Sequence, residues 1–294
     1  MHLEGSLVAV VTPFTSDNKV DYQSLEKLIL WHLAEKTAGI VILGTTAEVS
    51  TLSDSEKQKI IELTCATIQK KIPVIVGVGT NCTTRTVENT KKAKKYGVDY
   101  GLVIAPYYNC PNQSGLVLHY QKVADEGLPI IIYHHPKRTG VQIDFDTLLK
   151  LQKHPNIVAI KDATGDLSWM EKIINKTGLK LFSGNDENTF EIMSKGAVGS
   201  ISVVANLVPN EWAKMHRLLL NRKVSEAKLI NDKYKALVRT LSLEVNPQGV
   251  KFGLSLIKKY CLPDLRLPLV KPSLENQLKI TEAFNQTSSA GIVA

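Results

Sequence analysis

The chain reads as a closed (β/α)8 TIM barrel followed by a C-terminal helical extension. Three observations predict it. Short β-branched apolar runs alternate with longer amphipathic stretches, eight such pairs fit before residue 222, and no Pro/Gly/Ser-rich linker interrupts them. Repeated βα units imply a parallel sheet, and eight at this length fit a closed barrel better than an open doubly wound sheet. The expected division is a barrel over 1–222 and a helical extension over 223–294.

The predicted strands are 7–12, 39–44, 73–79, 100–106, 129–134, 157–162, 180–184 and 199–205, each short, apolar and bounded by turn residues. The predicted helices are 21–36, 54–70, 83–96, 114–126, 144–153, 168–176, 187–195 and 209–221. Leu25, Leu28, Ile29, His32 and Leu33 show the three-and-four spacing of a buried stripe. Beyond residue 222, helices are expected over 226–240, 249–260 and 273–284, punctuated by Pro247, Pro263, Pro268 and Pro272. Residues 287–294 are small and unpatterned, and are expected to be mobile.

Hydrophobic content of 44% and charged content of 22% are those of a globular protein. No apolar run reaches the roughly 20 residues that span a bilayer. The first residues lack a basic leader before an apolar core, so no secretory signal is expected. Cys65, Cys82, Cys110 and Cys261 form no CxxC pair, which suggests free thiols and a cytoplasmic location. The net charge of +8 admits anionic small substrates. Its lysines are spread along helices, however, and the tightest run, 91–95, reads as a solvated face, so neither a nucleic acid nor a membrane is an expected partner.

A barrel carries its active site at the C-terminal strand ends. The chain's unusual residues collect there: Thr12-Pro13, Gly44-Thr45-Thr46-Ala47-Glu48, Tyr107-Tyr108-Asn109, Tyr133 with Arg138, Lys161, and Gly184-Asn185-Asp186. Lys161 ends the apolar run Ile157-Val158-Ala159-Ile160. Desolvation there lowers an amine's pKa, as a Schiff-base lysine requires. Taken alone, this segment equally suits a lysine whose head snorkels to solvent; the clustering favours the functional amine. Gly44-Thr45-Thr46 can offer N–H groups and a hydroxyl to a carboxylate, or can be an ordinary turn. Tyr107, Tyr108 and Tyr133 supply phenols that relay protons when linked through a threonine hydroxyl, although each alone reads as a rim residue. The planar fork of Arg138 suits a second carboxylate, against the plainer reading of a surface arginine. His134 and His135 are adjacent on a strand and point to opposite faces, so a shared metal ion is not expected. Met170, Met193 and the tryptophans fall in helical packing patterns. Cys110 lies near the proposed site, but no histidine is paired with it in sequence.

From Gly5-Ser6-Leu7-Val8-Ala9-Val10-Val11-Thr12-Pro13 to Leu265-Arg266-Leu267-Pro268-Leu269, these motifs and their order resemble the pyruvate-dependent class I aldolase family, which includes dihydrodipicolinate synthases and N-acetylneuraminate lyases. The resemblance implies Lys161 as the Schiff-base lysine and Thr45, Tyr108 and Tyr133 as a proton relay, with Tyr108 reaching a neighbouring subunit's site. It implies that the backbone at Thr45 and Thr46 holds pyruvate's carboxylate and Arg138 the second substrate's. Gly184 and Ile201 would line the pocket.

Thr45-Thr46, where lyases usually have Ser-Thr, and the presence of Arg138 favour the synthase branch. That branch condenses pyruvate with aspartate 4-semialdehyde in diaminopimelate and lysine biosynthesis. Aldol cleavage by a lyase, or a barrel serving only as a scaffold, are the alternatives. No cofactor is expected, and a homo-oligomer, a dimer or a dimer of dimers, is. The chain departs from the family at Ala47, where Gly is usual, and at His134 and His135, which replace Asn and an apolar residue. Lys57 and Arg85 stand where lysine-inhibited members carry histidine and an acid; cations there oppose lysine's ammonium groups, so weak feedback by lysine is expected.

Overall fold

The computed structural model describes residues 2–287. Eight parallel strands close on themselves in sequence order. They are β1 (Gly5–Ala9), β2 (Gly39–Ile42), β3 (Val74–Gly77), β4 (Tyr100–Ile104), β5 (Ile130–His134), β6 (Ile157–Asp162), β7 (Lys180–Ser183) and β8 (Gly199–Ser202). The seam is the β1–β8 pairing, which sets Leu7 opposite Ile201. The backbones approach closely there: a Cβ on Gly199 would lie 2.1 Å from the Gly5 carbonyl oxygen.

Alternation along each strand sorts side chains into two cores. Leu7, Ala9, Val41, Ile75, Leu102, Ile131, Ala159, Phe182 and Ile201 fill the barrel interior. Val8, Ile40, Val76, Val103, Ile132 and Ile160 face outward into the helical layer. That layer comprises α1 (Tyr22–Ala34), α2 (Asp54–Ile68), α3 (Thr83–Lys95), α4 (Gln113–Ala124), α5 (Pro136–Thr139), α6 (Phe145–Leu151), α7 (Leu167–Lys176), α8 (Thr189–Ser194) and α9 (Pro209–Leu220). The stripe expected on α1 is present, with Leu25, Leu28, Ile29 and His32 buried. A capping box between Ser53 and Glu56 starts α2.

The strands are mostly shorter at their C-terminal ends than their apolar runs suggested. Val10 and Val11 are buried beyond the end of β1, so the run reports burial and not ladder pairing. The short helix α5 was not expected; Pro136 at its first turn sets its backbone. The helix expected over 187–195 divides into a 3-10 turn, Asp186–Asn188, and α8.

Three helices follow residue 222: α10 (Val224–Thr240), α11 (Gln248–Ile257) and α12 (Leu274–Thr287). α10 packs on α9 and α12. Thr287 is not part of an unpatterned tail: it closes α12 and is buried. The rest of the expected mobile tail, 288–294, lies outside the described residues. No helix among the described residues is long and apolar enough to cross a membrane.

Candidate active site

Lys161 occupies the outermost inward layer of β6, opposite Tyr133 of β5 and Phe182 of β7. Ala159, two residues earlier, faces the same interior. The strand thus pushes an amine out of a sealed core toward the barrel mouth. Lys161 is only 7% exposed, and its Nζ lies 4.3 Å from the centre of the Tyr133 ring. Burial lowers its pKa to about 8; the Asp186 carboxylate opposes that shift and Arg138 adds to it. A pKa of about 8 leaves about a tenth of the amine neutral at pH 7, far more than an ordinary lysine has, and that fraction is the competent nucleophile.

Asp186, noted in the sequence only as part of a polar turn, is the carboxylate facing Lys161. Its Oδ2 accepts from the N–H groups of Val203 at 2.9 Å and Val204 at 2.8 Å. Burial raises its pKa, and those donors partly restore the charged form. Sequence gave no signal for this pairing, because the loop after β7 meets the end of β8 only through barrel closure.

The Tyr133 phenol is 6% exposed. Burial raises its pKa, offset in part by Arg138 and by a hydrogen bond with the Thr45 side chain. Thr45 opens a 3-10 turn, Thr45–Ala47, directly after β2. The Thr12 hydroxyl donates to the Ala47 carbonyl at 2.8 Å. The left-handed position of this segment is Glu48, at φ 54°, and not Ala47, so the extra Cβ of Ala47 is accommodated without backbone strain.

Residues from the C-terminal extension hold this turn, and sequence reasoning missed them. The Asn246 side-chain amide donates to the Thr46 hydroxyl at 2.9 Å, while an Arg138 guanidinium N–H reaches the Asn246 carbonyl at 3.5 Å. Glu48, fully buried, accepts from Lys251 of α11 at 2.7 Å and from the Arg266 backbone N–H at 2.9 Å. The Arg266 fork pairs with both oxygens of Glu56, at 2.9 and 2.6 Å. That pairing pulls the Glu56 carboxyl down to about 2. Phe14 lies under both cations, 4.0 Å from Lys251 Nζ and 4.6 Å from Arg266 Cζ.

Gly184 directly follows β7, and Ile201 lies in β8. A Cβ on Gly184 would meet Lys161 Cε at 3.0 Å and the Ala163 Cβ at 2.9 Å, so only glycine leaves room beside the amine. Ile201 is buried in the interior layer with Tyr133. A cavity of about 970 Å³ opens from this mouth, with Thr45, Tyr107, Tyr133 and Arg138 on its walls; Lys57 and Arg85 also line it. Thr45, Thr46, Tyr133, Arg138, Lys161, Gly184 and Ile201 therefore converge on one barrel end. Tyr108 does not join them within this chain. It is 91% exposed, with a left-handed backbone at φ 75°.

The adjacent histidines diverge. His134 faces outward, its Nδ1 2.8 Å from Asp162 Oδ2 and its Nε2 accepting from the Ile143 N–H at 3.3 Å. His135 faces the mouth, edge-on to Tyr133 with ring centres 5.8 Å apart. Among the described residues, no group of three or more His, Cys, Asp or Glu side chains is placed to hold a metal ion. The Cys110 thiol approaches the Thr139 carbonyl at 3.8 Å.

A 4-hydroxy-tetrahydrodipicolinate synthase of Thermodesulfovibrio yellowstonii is 41% identical over 293 residues, covering 99% of each chain. A dihydrodipicolinate synthase of Acinetobacter baumannii, solved in complex with pyruvate, is 39% identical and superposes with a TM-score of 0.95 over 99% of this chain and 100% of that one. The enzyme of Cyanidioschyzon merolae, solved with lysine bound, gives 32% identity and a TM-score of 0.93 over 98% of this chain and 99% of that one. A buried strand-end lysine beside a Tyr–Thr pair, these relatives, and a family model matched over residues 2–287 agree: the chain belongs to the dihydrodipicolinate synthetase family.

Proposed function

We propose that the protein is a 4-hydroxy-tetrahydrodipicolinate synthase, a lyase that condenses pyruvate with L-aspartate 4-semialdehyde in diaminopimelate and lysine biosynthesis. The observation that carries this reading is the amine of Lys161, buried at the barrel mouth with its pKa near 8 and set against the Tyr133–Thr45 pair. The neutral amine adds to the keto carbon of pyruvate. The carbinolamine loses water to give a protonated imine, and loss of a methyl proton gives the enamine. Tyr133, Thr45 and a Tyr108 from a second subunit relay these protons. Backbone N–H groups at Thr45 and Thr46 hold pyruvate's carboxylate, and Gly184 and Ile201 shape the space beside it.

The enamine carbon attacks the aldehyde carbon of the second substrate, whose carboxylate rests on Arg138. That substrate's own amine then adds to the imine carbon and expels Lys161, closing the ring. The protonated imine is the electron sink, so the chemistry calls for no metal or organic cofactor. The exposed Tyr108 supports a homo-oligomer, and the four free thiols support a reducing, cytoplasmic compartment.

Borohydride reduction tests this reading. Treating the protein in the presence of pyruvate should add the mass of the reduced adduct at Lys161, and adding aspartate semialdehyde should give turnover. No pyruvate-dependent mass at Lys161 would overturn it.

A further inference from the structure

His135 has no role in the chemistry above, yet it faces the same barrel mouth. Tyr133 points inward and His134 outward, so the next residue returns to the mouth, where His135 precedes the short helix that carries Arg138 without a side-chain hydrogen bond to it. Its ring stands edge-on to Tyr133, on whose face Lys161 sits.

The ring holds little of its polar capacity within the protein. Its Nδ1 is buried without a partner of hydrogen-bond geometry. A neutral imidazole keeps one of its ring nitrogens as a hydrogen-bond acceptor. Burial, with Arg138 and Lys161 nearby, lowers the pKa to about 4, so the ring is uncharged in the working range. A neutral imidazole accepts hydrogen bonds and carries no charge that would repel an ammonium group.

We infer that His135 is a specificity residue for the second substrate, its imidazole accepting a hydrogen bond from the α-ammonium group of aspartate semialdehyde. This rests on the function proposed above. In that substrate the α-carboxylate and α-ammonium groups share one carbon. A carboxylate held by Arg138 therefore brings the ammonium group to the turn that presents His135, three residues earlier in the chain. The contact separates an amino aldehyde from its deamino counterpart, which the Arg138 contact alone cannot do.

The test compares His135→Val, which installs an apolar residue, with His135→Gln, which keeps an acceptor. Borohydride mass addition with pyruvate certifies that each variant is folded with a working Lys161. Relative to the wild type, the Val variant should raise the KM for aspartate semialdehyde about 10-fold, the scale of a lost hydrogen bond to a charged group. Its kcat should change less. Its inhibition constant for succinate semialdehyde, which lacks the amino group, should stay within about twofold, and the Gln variant should recover part of the loss. An unchanged KM, or an equal loss towards both aldehydes, overturns the inference and leaves the proposed function standing. A wild-type protein that forms the pyruvate adduct but consumes no aspartate semialdehyde overturns both.

Discussion

A lysine ammonium group at the edge of a sealed core opposes folding, and Lys161 carries that cost for its chemistry. Its folded pKa is about 8, against 10.5 for the free side chain. Below pH 8 both states are protonated and the full penalty stands. Between pH 8 and 10.5 the unfolded chain holds the extra proton, so this residue's contribution makes stability rise with pH. That difference in pKa corresponds to a penalty on the order of 3 kcal/mol. Lys161→Met should therefore abolish turnover yet raise the stability of the protein at pH 7, with the gain shrinking towards pH 10. Urea melts at the two pH values check this, and a Met variant less stable than wild type at pH 7 contradicts it. In the wild type, kcat/KM for pyruvate should climb as pH rises through 8, because the neutral amine is the attacking form. This residue was legible in the sequence because its cause is local: an apolar strand that ends in an amine can only deliver it to a strand end. Asp186, which opposes the shift, was not legible, since its placement depends on barrel closure.

At the scale of elements, the turn Thr45–Ala47 owes its position to a helix that begins more than 200 residues later. Glu48 and Lys251 lie 203 residues apart and are both fully buried. The periodicity of each segment predicts its own helix or strand, and those expectations held within a few residues for all eight strands. Periodicity carries no information about which buried acid meets which buried base, so the pair was invisible. The short helix α5 was hidden for a different reason: four residues are too few to show a period. Truncating one member of a buried pair leaves the other charge without compensation, at a cost of about 3–5 kcal/mol. Lys251→Met should lose stability on that scale and raise the KM for pyruvate, because Glu48 adjoins the turn that carries Thr45 and Thr46. The double variant Glu48→Gln/Lys251→Met should regain much of the stability. Chemical denaturation of the three variants measures this, and a single variant as stable as wild type removes the clamp from the account.

Across the whole molecule, the barrel gathers seven of the eight expected site residues at one end and leaves Tyr108 facing solvent. The sequence pattern places that residue on the loop after β4, but no property of a single chain's sequence says whose site it serves. A tyrosine 91% exposed in one subunit can take part in buried chemistry only if another subunit covers it. In a two-fold dimer the exchange is reciprocal, each subunit lending its tyrosine to the other. Mixed assemblies separate the possibilities. Tyr108→Ala and Lys161→Ala should each be nearly inactive alone. When the two are unfolded together and refolded, a mixed dimer holds one site with an intact Lys161 and a Tyr108 supplied by the partner. Random pairing makes half the dimers mixed, with one working site of two, so activity should return to about a quarter of the wild-type value. If each tyrosine instead served its own chain, neither kind of subunit in the mixture would hold a complete set. Activity would then stay at the level of the single variants, and the exchange across the dimer would be ruled out.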